Sequence, residues 1–177
     1  MSNAARAFEL QPVLTGERLL LRPLLATEFE RLFEAACDPM IWELHPDPNR
    51  YRREVFEAFF VEALKSKGAL AVLDRLTGRM IGSSRYYDID AMKDEVGIGY
   101  TFLSRDYWGG AFNRELKTLM LDHAFRFVKT VVFHVGEHNL RSRRAMEKIG
   151  GVLSGAVEKE GPDGRSRRSV VYRIERA

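Results

Sequence analysis

The sequence predicts a single α+β domain over residues 1–177, built on one mixed sheet, with residues 1–13 as an N-terminal extension. Three observations lead there. Stretches of helical periodicity and short apolar runs follow one another along the chain. No repeat, linker or low-complexity tract interrupts them. The 177 residues, 45% of them hydrophobic, suit one sizeable core and are few for two.

LTGERLLLRPL, residues 14–24, reads as a strand with Leu19 and Leu21 on one face, Leu20 and Arg22 on the other, and Pro23 ending it. ATEFERLFEAA follows as a helix, with Thr27 as N-cap and Phe29, Leu32, Phe33 and Ala36 along one side. After the broken stretch DPMIWELHPDPN, a second helix is expected over 51–66. ALAVLD and MIGSSRYYDI are strands joined through RLTGR, where Gly78 takes positive φ easily. DEVGIGYTFL is a further strand. The long helix FNRELKTLMLDHAFRFVK buries Phe112, Leu116, Leu119, Met120, Ala124, Phe127 and Val128, and TVVFHV is a buried strand. NLRSRRAMEKIGG is a short amphipathic helix. Asn139 caps it, Ala145, Met146 and Ile149 share one face, and Gly150 and Gly151 stop it. GVLSGAV and SRRSVVYRI form a last strand pair around EGPDGRS.

Composition excludes several classes. A lone cysteine, Cys37, allows no internal disulfide, and with scattered histidines it offers no metal-ligand spacing. No G-x-S-x-G elbow supports a serine hydrolase. No long apolar stretch reads as a signal peptide or membrane span, so the cytoplasm is the expected compartment. The net charge of +3 is modest, with basic residues clustered at 141–148 and 165–168. That favours a compact phosphate ligand over nucleic acid.

The chemistry concentrates at the strand-to-helix junction FLSRDYWGGAFNREL. A strand that ends in small residues and opens a helix leaves unpaired N–H groups pointing at one spot, reinforced by the helix dipole. Such a junction is an anion cradle, and Gly109, Gly110 and Ala111 lack the bulk to keep a pyrophosphate away. The absence of GK[ST] and of G-x-G-x-x-G excludes a P-loop and a dinucleotide fingerprint.

Three stretches in order resemble the GNAT acetyltransferase superfamily, in the branch of the ribosomal-protein N-terminal acetyltransferases. They are LTGERLLLRPL, GIGYTFLSRDYWGGAFNREL and NLRSRRAMEKIGG, and the likeness runs from about residue 14 to 175. The second resembles the acetyl-CoA segment with its W-G-K-G-Y-A loop, and the third resembles N-x-x-S followed by E-K-x-G-F. The resemblance implies a mostly antiparallel sheet splayed between its fourth and fifth strands, flanked by about four helices, with the pantetheine arm of acetyl-CoA in the gap. It implies that Phe102 and Leu103 pair their backbone with that arm. Trp108, Gly109, Gly110, Ala111, Phe112 and Asn113 would wrap the pyrophosphate, Asn139 would fix the arm near the thioester, and Arg143 would face phosphate. A methyl at Ala111 would obstruct the phosphate only if that residue needed positive φ.

For catalysis the resemblance implies direct attack of an amine on the thioester, without metal. Related enzymes use the serine of N-x-x-S, here Ser142, to protonate the departing thiolate; the usual Tyr acid is replaced by Met146. The usual Glu base of E-I-G-Y is replaced by Gly97. Glu95 shares its strand face, displaced by about 6 to 7 Å. Other relatives draw the base from the fifth strand, at the position of His134, whose imidazole titrates near neutrality. His45, His123 and His138 are expected to be structural or exposed. Trp42, His45, Tyr86 and Tyr87 are candidates to line an acceptor pocket, with Asp88, Asp90 and Asp94 to attract a cation. A peptide or protein N-terminus would need an open groove, and a small amine a closed pocket with a convergent acid. A CoA-binding regulatory module without turnover is the third reading, favoured by the missing Glu and Tyr. A homodimer is allowed; nucleic acid and membrane are not expected partners.

Overall fold

The computed structural model describes residues 7–161 and 163–177; the first six residues of the expected extension and Pro162 of the expected last turn lie outside them. The strands are β1 (Leu14–Thr15), β2 (Leu19–Pro23), β3 (Ala69–Asp74), β4 (Met80–Asp90), β5 (Glu95–Leu103), β6 (Thr130–Gly136), β7 (Val152–Glu160) and β8 (Ser166–Glu175). The helices are α1 (Phe29–Ala36), α2 (Arg53–Ser66), α3 (Ala111–Ala124) and α4 (Leu140–Lys148). Among the described residues these eight strands join one sheet in the order β1-β2-β3-β4-β5-β6-β8-β7, antiparallel except for the β5–β6 pair. The α+β class and the mixed, mostly antiparallel sheet are as the sequence leads one to expect. The first expected strand is split by a turn in which the Gly16 N–H bonds the Leu19 carbonyl, 2.8 Å. The expected fourth and fifth strands are therefore β5 and β6.

Period-two alternation divides the core between the sheet's two faces. On β3, Leu70 and Val72 pack toward α3 and α4 with Ile81, Tyr86, Ile98, Leu116, Met120 and Phe133. Ala69, Ala71 and Leu73 pack toward α1 and α2 with Leu32, Trp42, Phe56, Phe59 and Phe102. We call these the rear and front faces. Part of the expected extension is core: Phe8 and Leu10 pack on the rear cluster, and Gln11 Nε2 donates to the Ala69 carbonyl, 2.9 Å. Thr27 does not cap α1. It sits in a 3-10 turn, Ala26–Glu28, where the Glu28 carboxylate accepts the Leu25 N–H at 3.0 Å and two hydrogen bonds from Arg22. The long helix ends at Ala124, earlier than its apolar pattern runs, and Phe127 and Val128 pack on the core from the turn beyond it.

Strands β5 and β6 pair over three positions only: Glu95 with Thr130, Val96 with Val131 and Gly97 with Val132. Beyond them β5 stays with β4 as far as Leu103, while β6 stays with β8 as far as Gly136, so the sheet opens into a wedge. A bulge accompanies the opening. Between Gly99 and Phe102 β5 has one residue more than the facing stretch of β4, and Tyr100 takes φ 53°, a left-handed conformation. An extra residue of this kind bends a strand and raises its twist. At the closed end, Glu95 on β5 bonds Arg173 on β8, reaching past β6. Hydrogen bonds between ionised groups contribute roughly 1.5–3 kcal/mol. Glu95→Gln should therefore lower stability in urea denaturation by about that amount, leaving coenzyme A affinity unchanged.

Candidate active site

The wedge contains a cavity of about 240 Å³ lined from both faces of the sheet. Its walls are Ile98, Gly99, Tyr100 and Thr101 of β5 and Phe133, His134, Val135 and Gly136 of β6. Asn139, Ser142 and Met146 of the α4 segment close it from the rear, with Lys117 of α3. From the front come His45, Pro46, Arg50 and Tyr87, with Lys159 and Ser169 from the β7–β8 pair.

Three of the expected site residues converge here. Asn139 is buried and caps α4, its Oδ1 accepting the Ser142 N–H at 3.2 Å. This puts Ser142 in the first turn, in the cavity wall. His134 lies opposite, half-buried, its ring edge-on to Tyr87 with centroids 6.0 Å apart. Burial and the Lys159 charge hold the imidazole below its ordinary pKa, against the opposing pull of Asp88 and Glu95. It is therefore neutral, and able to accept a proton, over most of the physiological range.

Glu95 is not brought to the cavity. Its carboxylate is engaged by Arg173, with Lys93 Nζ 4.0 Å away, and it does not line the wall. The vacancy of the base position at Gly97 also has a physical reason. A Cβ at Gly97 would lie 2.7 Å from the Tyr87 ring, and one at Gly99 2.9 Å from it, so the space a side chain would use is filled by an aromatic ring. Arg143 is not free for a phosphate either: its Nε donates to the Tyr172 hydroxyl and its Nη1 to the Glu137 carbonyl, both at 3.1 Å.

The expected anion cradle has the conformation it needs. Gly109 carries the positive φ, 69°, and Gly110 is the N-cap of α3 with no side chain capping it. Ala111 is the first helical residue, so its methyl leaves the approach open. Phe112 turns inward against Tyr107, centroids 4.8 Å apart, so only its main chain can serve a ligand, while Asn113 is half-buried. Trp108 donates Nε1–H to the Leu103 carbonyl at 2.9 Å, fastening the loop to the end of β5. Phe102 and Leu103 are buried and paired with Ser83 and Gly82 of β4 on the edge away from the wedge. These features fit a diphosphate at the start of α3 and an extended arm along β5.

Several residues of the site and its surroundings carry no local sequence signal. Arg141, rather than Arg143, reaches the cradle: its guanidinium lies 4.0 Å from the centre of the Trp108 ring and donates to the Ile41 carbonyl at 3.1 Å. Lys117 falls among the polar positions of an amphipathic helix, yet is 4% exposed. Its Nζ donates to Thr101 Oγ1 at 2.9 Å and lies 5.4 Å from the Phe133 ring centre. His45, expected to be incidental or a pocket residue, does line the front. Burial and Arg50 push its pKa down to about 3, and its Nδ1 accepts the Asp47 N–H at 2.9 Å. Trp42 lies beneath it and donates to the Ala36 carbonyl. Tyr86 faces the rear, its hydroxyl donating to the Met120 carbonyl at 2.6 Å, and so cannot meet an acceptor. Asp90 and Asp94 pair with Lys93 and Lys129, and neither they nor Asp88 line the cavity. Among the described residues no group of three or more His, Cys, Asp or Glu side chains could hold a metal ion, and no helix is long and apolar enough to cross a membrane.

A sequence model of the acetyltransferase (GNAT) domain matches residues 18–152, and the chain belongs to that family of acetyltransferases. Among solved structures, an acetyltransferase fold from T. thermophilus is 27% identical, with a TM-score of 0.78 over 96% of this chain and 91% of that one. A Vibrio cholerae protein described as a ribosomal-protein-serine acetyltransferase is 16% identical, with a TM-score of 0.77 over 93% and 97%. Mycobacterium smegmatis RimJ, solved with CoA-disulfide, is 17% identical, with a TM-score of 0.67 over 89% and 81%. At such identities the last two share the fold. No curated protein matches the chain.

Burial alone holds the Lys117 pKa down to about 8, from 10.5. A lowering of this size corresponds to roughly 3 kcal/mol. The unfolded chain binds the extra proton between these values, so this unfavourable contribution is full below pH 8 and fades as pH rises toward 10.5. Lys117→Met should therefore raise stability at pH 7 by about 1–3 kcal/mol. Denaturation curves at successive pH values should show that advantage shrinking above pH 8.

Proposed function

We propose that the protein transfers the acetyl group of acetyl-CoA directly to a primary amine. The observation that carries the reading is the wedge itself. An uncapped, glycine-led helix start lies at one end of β5, and a cavity holding His134 and Ser142 opens between β5 and β6. The donor would bind from the rear, with its diphosphate on the main-chain N–H groups of residues 109–113 and Arg141 beside it, and its pantetheine arm along the free edge of β5. Asn139 would sit at the thioester end. Trp108, through its bond to Leu103, fixes the loop that presents those N–H groups.

The amine would enter from the front. Its nitrogen attacks the thioester carbonyl carbon, and a tetrahedral oxyanion forms and collapses with breakage of the C–S bond. His134 takes the proton that the nitrogen sheds, and Ser142, on the opposite wall, gives a proton to the departing thiolate. A main-chain N–H would stabilise the oxyanion. The stretches that resemble the ribosomal-protein N-terminal acetyltransferases support a place in that branch, and the Vibrio cholerae and Mycobacterium smegmatis structures share its fold. The acid-free wall of the cavity gives no support to a polyamine acceptor, which would need a convergent carboxylate.

Purified protein given acetyl-CoA and a panel of amines and N-terminal peptides should release thiol. Coenzyme A binding without release on any acceptor would instead make this a ligand-sensing module. His134→Gln should lower kcat/KM by roughly 10²- to 10⁴-fold and remove the acidic limb of the rate profile, with coenzyme A affinity retained. In the unmodified protein that limb should have its midpoint below 6.5. An unchanged profile in the variant would remove His134 from the mechanism.

A further inference from the structure

Among the described residues no aspartate or glutamate lines the cavity, whereas Arg50, Lys117 and Lys159 do, together with His45 and His134. The imbalance is deepest at the front. Arg85 on β4 is 6% exposed, has a buried Nε without a hydrogen-bond partner, and makes no ion pair among the described residues. Its guanidinium stacks 3.9 Å from the centre of the Tyr100 ring, whose far side belongs to the cavity wall. Arg50 packs against the same Phe59 ring that Arg85 touches, at 4.8 and 5.6 Å respectively. Asp47 lies 3.3 Å from Arg50 Nε, while the acid whose charge acts on Arg85 is Glu62, which makes its ion pair with Lys65 instead. Arg85 thus lies buried with no carboxylate in contact, Arg50 has Asp47 alone, and exposed Lys159 adds a further positive charge at the rim.

A buried cation without a counter-charge is costly, by several kcal/mol in a fully dry site. Such an arrangement is compensated when a ligand supplies the opposite charge, and it repels a second cation. An ammonium acceptor alone would meet only like charge here. It would need an anionic group of its own, close to the amine, to enter at all.

We propose that the acceptor is an amine bearing a carboxylate within a few atoms of its nitrogen, and that Arg50 and Lys159 hold that carboxylate, with Arg85 adding its charge from behind the Tyr100 ring, while the nitrogen faces His134. This rests on the transferase reading and gives its acceptor a chemical class. The carboxylate could be that of a free amino acid, or that of an acidic side chain beside a peptide N-terminus.

The test compares matched acceptors with acetyl-CoA: free amino acids against their carboxamides, short peptides with acidic against neutral leading residues, and a diamine. The acids should exceed their neutral counterparts in kcat/KM by about 10- to 100-fold, the worth of one or two charged hydrogen bonds. Preference for free amino acids identifies the first source, and preference for acidic peptides the second. Lys159→Glu, on an exposed hairpin where folding is not at stake, and Arg50→Gln should each erode the preference. Neutral amides or the diamine performing as well as the acids would overturn the proposal. A readout without turnover keeps it separate from the transferase reading: calorimetry of N-acetyl amino acids and N-acetyl amino acid amides with the CoA-loaded protein. Tighter binding of the acids supports the proposal even if no thiol is ever released. Equal or absent binding of both overturns it.

Discussion

Everything in this molecule that could do chemistry depends on β5 and β6 separating after three paired residues. Parallel strands in one sheet normally leave no space between them. Here each strand keeps its outer neighbour while its inner edge is released, and the polar groups of those edges must find partners elsewhere. A ligand with its own amides and carbonyls, laid along the opening, is the kind of partner they require. The wedge also joins the two faces of the sheet, so one reactant can approach from α3 and α4 and the other from α1 and α2.

The surroundings hold that opening in place. At its closed end Glu95 and Arg173 tie β5 to β8. On its front side the Tyr87 ring lies over two glycines, with Tyr100 beyond it, 5.4 Å between ring centres. On its rear side α4 is set by its Asn139 cap, the same residue that reaches the cavity. One side chain thus positions the helix and presents a polar group to the cavity, which explains why a short, highly charged helix lies beside the core. Its arginines divide the remaining work: Arg143 braces Tyr172 of β8 and the Glu137 carbonyl just after β6, whereas Arg141 crosses to Trp108 and the loop that starts α3.

The class of fold, the order of elements and the α3 cradle are legible in the sequence because each rests on local periodicity or on a cap. Asn139, Ser142 and the glycine-led loop are local signals of this kind, and His134 follows from its distance to Asn139. What could not be read depends on tertiary placement. Glu95 and His134 both look available as bases until the fold puts Arg173 beside one of them. Lys117 and Arg85 sit at positions that any charged surface residue could occupy, and only the packing of α3 under Thr101, or of β4 under Tyr100, makes them buried. Tyr86 and Tyr87 are neighbours in sequence, yet strand alternation sends one to the core and the other to the cavity. The lack of acid in the cavity wall is the furthest from any local signal, since its residues come from β4, β5, β6, β7, β8, α3, α4 and the loop before α2.

Amide hydrogen exchange with and without coenzyme A tests the central claim most directly, because it reports on the main-chain groups said to bind. Bound coenzyme A should slow exchange in two separate stretches, residues 109–113 at the start of α3 and the free edge of β5 over residues 98–103. Protection confined to another surface, or coenzyme A binding that leaves both stretches unaltered, would contradict the assignment of the wedge as the donor site.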